Sequence, residues 1–196
     1  MTPSTRPRDS QRARLYRAEG EVDAGRRLAT VERMQAWVDG LVATDWFVAR
    51  WGVRSFEVRP GFGHRRATAD TVNGVLQMPK WARSELVLLH EVAHCLTPAT
   101  FASHGPEYAG VLLALARRGM GPGTAQRLED AFAVERVRWT LAAVPEARTG
   151  WPTVASSRQT AAWAMTAGAS VGEGPTDSVI AAHQREPADI AAHFDS

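Results

Sequence analysis

Ser84-Glu85-Leu86-Val87-Leu88-Leu89-His90-Glu91-Val92-Ala93-His94-Cys95-Leu96 is the stretch that decides how this chain is read. Its inner five residues have the pattern H-E-x-x-H. On a helix, residues four apart share a face, so His90 and His94 point two imidazoles at one ion. Glu91 sits beside them, placed to take a proton from a metal-bound water. Ser84 suits the N-cap and Glu85 the positive N-terminal end. The flanking apolar residues predict burial. Two buried His and a Glu are costly unless something satisfies them. A buried pair held by ordinary hydrogen bonds would do so, and a metal does it well.

Catalytic zinc usually takes three protein ligands and keeps one position open. His104 follows His94 by ten residues, across one loop, where Pro106 suits the first position of the next helix and Gly105 its cap. A helix-loop-helix return brings His104 back over the first helix. Glu107 and Glu129 are the other choices for third ligand. Cys95 projects about 100° away from His94 around the helix and reads as a small core residue. Tyr108 is a candidate oxyanion donor, though packing is the plainer role for an aromatic there. His64, His183 and His193 read as solvated.

Upstream, Val31, Met34, Val38, Leu41 and Val42 recur at helical spacing, which predicts one helix from Thr30 to just before Trp51-Gly52. Three short strands are expected next. One holds Val53, Phe56 and Val58, a second runs from Arg65 to Val72, and a third from Val75 to Met78. Asn73-Gly74 is expected as a two-residue hairpin turn between the last two. Downstream, one helix should run from Pro106 to near Gly119 and another from Thr124 to Val137. The expectation is thus an α+β fold: a helix, a three-stranded antiparallel sheet, the H-E-x-x-H helix and further helices. The strand before that helix could pair with an extended peptide if it lies at the sheet edge.

Residues 1–28 read as a basic flexible arm, 29–142 as the folded domain and 143–196 as a mostly flexible tail, with a short helix near 177–184. In the first 27 residues seven Arg face four acids, which suits a solvated arm, a short charged helix or a nucleic-acid-binding segment. With 44% hydrophobic residues the chain can bury a modest core, and its net charge is only +2. A single cysteine excludes an internal disulfide and fits a reducing compartment. No signal peptide is visible and no apolar run reaches membrane-spanning length, which gives a cytoplasmic expectation with no membrane partner.

His90-Glu91-x-x-His94 followed by His104-Gly105-Pro106-Glu107-Tyr108 resembles the zincin superfamily. More narrowly it resembles SprT-like minimal metalloproteases, and small proteins of actinobacteria and their phages assigned as metallohydrolases. The resemblance covers about residues 30–142. It implies a zinc metallopeptidase acting on a peptide or protein, with His90, His94 and His104 as Zn2+ ligands and Glu91 as catalytic base. The Cys-rich ribbon of some SprT-like proteins is missing from the sequence. A fainter resemblance links Glu129-Asp130-Ala131-Phe132-Ala133 to the ImmA/IrrE-like repressor-cleaving proteases, which implies Glu129 as third ligand. A non-catalytic module that keeps the zincin fold and binds nucleic acid through its basic arm is the third reading.

Overall fold

The computed structural model describes residues 8–63 and 66–141. The expected tail, its short helix, and His64, His183 and His193 lie outside these residues. The described residues form a mixed α+β structure of six α-helices and one three-stranded sheet. In chain order these are α1 (Arg12–Gly20), α2 (Val31–Val42), α3 (Asp45–Trp51), β1 (Glu57–Pro60), β2 (Thr68–Asp70), β3 (Val75–Met78), α4 (Glu85–Leu96), α5 (Pro106–Gly119) and α6 (Pro122–Val134). No helix among the described residues is long and apolar enough to cross a membrane.

The expected single helix over 30–51 is two helices. Thr44 breaks it: its hydroxyl accepts from the Phe47 N–H as an N-cap, while Thr30 does the same for α2 through Arg33. A backbone that caps at Thr44 turns there, and Phe47 and Trp51 swing inward to full burial.

The sheet corrects two expectations. Its order is β1-β3-β2, with β2 antiparallel to β3 but β1 parallel to it, Val58 opposite Leu76. The expected all-antiparallel sheet is therefore mixed. Strand β3 is central, so its edges are both taken and β2 is the edge strand packed near α4. The hairpin exists, but Asp70 pairs with Val75, which leaves a four-residue connection. Asp70 organises it by accepting from the N–H groups of Val72 and Asn73. Gly74 closes the turn at φ 68°, a left-handed conformation that glycine takes without strain.

The largest departure lies at the start of the chain. Residues 12–20, within the expected flexible arm, form a helix whose Leu15 and Ala18 are fully buried against α6. Burying Leu15 contributes roughly 1.5–3 kcal/mol. The basic residues are engaged as well. Arg17 pairs with Glu135 at 2.8 Å, and Arg14 donates to the Arg136 carbonyl. The following segment stitches onto the start of α4. Glu85 N–H donates to the Arg26 carbonyl and Leu86 N–H to Ala24, which satisfies two helix-end donors that would otherwise lack partners. In return the Glu85 carboxylate, almost fully buried, accepts from the Arg26 N–H and guanidinium.

A buried Gln11 joins the beginning of this region to its end. Its Nε2 donates to the Arg138 carbonyl at 2.9 Å and its Oε1 accepts from the Arg138 N–H at 3.1 Å. The segment carrying Arg138 then runs across the first turn of α5. Thr140 N–H donates to the Pro106 carbonyl, and Gly110 lets this segment lie directly on the helix, since a Cβ there would collide with the Thr140 carbonyl.

A candidate metal centre built from three histidines and an N-terminal shell

Helix α4 begins and ends where its residues dictate. Ser84 accepts from Val87 N–H at the N-cap, and the Thr97 N–H and hydroxyl both return to the Ala93 carbonyl at the other end. Nearly every residue of the helix is buried, His90 and Glu91 included, while His94 is half-buried. After the loop, Gly105 and Pro106 open α5 as expected, and they hold His104 at the entry to that helix. The two helices pack together, and His90, His94 and His104 converge. One ligand atom from each lies within 4.8 Å of the others.

The other candidates for third ligand stay out. Glu129 accepts from Arg117 at 3.3 Å and is not in the cluster; Glu107 is not in it either. Cys95 is buried beside the Asp70 carbonyl, and burial pushes its thiol up to about 12, so it is an inert core residue. Tyr108 is also committed. Its ring is fully buried among the three imidazoles, and its hydroxyl donates to the His90 carbonyl at 3.1 Å. It fixes the backbone at the first histidine and is not aimed at a substrate.

The partners of the imidazoles come from an unexpected place. His90 Nδ1 lies 2.9 Å from Glu19 Oε1, and His104 Nδ1 lies 2.7 Å from Asp9 Oδ2. A carboxylate accepts only from N–H, so each ring carries its proton on Nδ1 and turns the Nε2 lone pair inward. That is the carboxylate–histidine arrangement that orients metal ligands. Both carboxylates belong to the first twenty residues, and so does Tyr16, whose hydroxyl lies 3.1 Å from His104 Nε2. Tyr16 also stacks on the His90 ring. Sequence reading missed all three. Leu15, Ala18 and Val22 do recur at helical spacing and would have shown that this helix buries a face.

The donor set fits a divalent cation. The Nε2 atoms of His90 and His94 are 3.2 Å apart. Two bare lone pairs repel at that distance, so a proton or a cation must stand between them. The spacing matches the roughly 3.3 Å between two imidazole nitrogens that share a tetrahedral zinc. A shared proton would satisfy these two rings and the Tyr16 hydroxyl the third nitrogen, whereas one cation could be held by all three.

Burial opposes the imidazolium of His90, but the Glu19 carboxylate outweighs it, so the ring is biased toward the protonated form. A cation would replace that proton. His104 is shifted the other way, by burial and by the charge of His90, against the pull of Asp9. Burial raises the Glu91 carboxyl to about 7, with His90 pulling it down and Glu19 pushing it up. Burial, together with Glu19 and Glu91, holds the Tyr16 phenol well above its ordinary range.

Comparison with known proteins adds no relative: no family model matches the chain, and no curated protein or solved structure matches it significantly.

Proposed function

We propose that this chain is a zinc-dependent hydrolase of the zincin type, and that it acts on peptide bonds. The observation that carries the proposal is the convergence of His90, His94 and His104, with Nδ1 of His90 and His104 each held by a carboxylate. A divalent cation such as zinc would supply there a Lewis acid and a water acidified toward neutrality.

The protein's own groups supply the rest. Glu91 follows His90 on the same helix and is 4% exposed. Its carboxyl value near 7 suits a group that takes a proton from water and returns it to a leaving amine. Glu19 and Asp9 keep the inward lone pairs aimed by holding the opposite ring nitrogens. Tyr108 fixes the turn of α4 that carries the first histidine. Strand β2 lies at the sheet edge beside α4, where an extended peptide could add as a further strand.

Three arginines of the expected arm, Arg14, Arg17 and Arg26, are bonded within the fold, which weighs against a phosphate-binding arm as the main role. Glu129, bonded to Arg117, weighs against the ImmA/IrrE-like ligand set.

Metal analysis of protein purified without chelator tests the reading. About one equivalent of zinc is expected, and less than about half an equivalent counts against it. Glu91→Gln should then abolish hydrolysis of a peptide library while zinc stays bound. Undiminished hydrolysis by that variant would remove Glu91 from the mechanism.

A further inference from the structure

Tyr16 stands against His90 and His104 and has no part in the scheme above. It enters from α1, on the opposite end of the sequence from the helices that carry the ligands. Its hydroxyl is 3.1 Å from His104 Nε2. Because His104 Nδ1 is bonded to Asp9, Nε2 presents that ring's only lone pair.

One lone pair cannot serve a hydroxyl proton and a cation together. When a cation takes it, an oxygen so close to Nε2 is no longer a hydrogen-bond donor to that nitrogen. It either moves away or stays as a neighbour in the same coordination sphere. The distance favours staying. At 3.1 Å the oxygen is as far from His104 Nε2 as His90 Nε2 is from His94 Nε2, 3.2 Å, and both match the edge of a tetrahedral zinc site, about 3.3 Å. The ring is also held in place, stacked on His90 at 5.6 Å and edge-on to His104 at 5.0 Å. The helix beneath it is anchored by the fully buried Leu15 and Ala18.

We infer that the Tyr16 oxygen, giving up its proton to solvent as the metal binds, is a fourth protein ligand, carried by α1, that closes the site at rest and is displaced when substrate enters. The inference rests on the metal-site reading above. It makes α1 a fixed cover whose one tyrosine is part of the metal's coordination sphere, and it sets the entry of substrate against the loss of one ligand bond.

Copper gives a direct test, since a tyrosine phenolate bound to Cu2+ produces a visible charge-transfer band that imidazole and carboxylate ligands do not. The full chain loaded with one equivalent of Cu2+ should show the band. Tyr108→Phe should retain it, and Tyr16→Phe should lose it. Tyr16→Phe should also bind zinc at least roughly tenfold more weakly, no less than loss of a ligand's outer partner costs. Absence of the band in the wild-type copper protein overturns the inference without recourse to any variant. So does a band that survives in Tyr16→Phe of native circular dichroism. If copper and zinc both fail to bind at one equivalent, the metal-site reading falls and this falls with it. If they bind at His104-dependent stoichiometry without the band, only the role of Tyr16 falls.

Discussion

Helix α4 and helix α1 serve the same three histidines, and they could hardly differ more as sequence. Helix α4 is almost entirely apolar apart from Glu85 and the His90, Glu91 and His94 of its motif, so its burial and its candidate site are announced together. Helix α1 reads R-A-R-L-Y-R-A-E-G, a string of charges in which Leu15 and Ala18 are the only fully buried side chains. Yet α1 and the short segment before it supply Glu19, Tyr16 and Asp9, the groups that hold and cover the imidazoles. Inner residues of a site must satisfy several constraints at once and leave a motif. Outer ones need only a single contact from some rigid support, and leave none.

If α1 is as much a part of the fold as α4, truncating a leucine on either should cost the same. Leu15→Ala and Leu88→Ala, both fully buried, are each expected to lose about 2–5 kcal/mol by denaturant unfolding. A solvated arm would lose less than about 0.5 kcal/mol at Leu15, and that result would separate the two helices again. Gly110→Ala comes next. Its new methyl group meets the Thr140 carbonyl, so roughly 1–3 kcal/mol should be lost as the 137–141 segment lifts from α5.

The comparison sharpens at the carboxylates. Glu19→Gln and Asp9→Asn should each weaken zinc binding about 10–100-fold in competition with a chelator, with the histidines untouched. Glu129→Ala, by contrast, should leave zinc affinity unchanged, since that residue is bonded to Arg117 away from the cluster. The smallest effect belongs to the arm's surface pairs. Arg17→Ala breaks a half-exposed ion pair with Glu135 and should cost about 0.2–1 kcal/mol, measurably less at high salt.

What the sequence made legible follows the range of the interaction that sets it. Ser84, Gly105 and Pro106 act on their own helices, and α4 and α5 begin where these residues place them. His104 was readable because a short loop leaves a helix few ways to return. The parallel pairing of β1 with β3 was not, because a strand's own residues carry alternation but no direction, and the partner is decided by how α2 packs over β1. The break at Thr44 had its cap in plain view, obscured by apolar and aromatic residues that continue on both sides of it. Tyr16 depended on a contact 88 residues away in sequence, for which no local pattern exists.

The two bonds between Gln11 and Arg138 have a consequence for how the protein is made. A ribosome releases Asp9, Tyr16 and Glu19 first and the residue that clamps their helix almost 130 positions later. Until then the histidines are already synthesised while the clamp on that helix is missing. On the proposed metal-site reading, the imidazoles, their carboxylate partners and the clamp on the covering helix are all present only once Arg138 has been made.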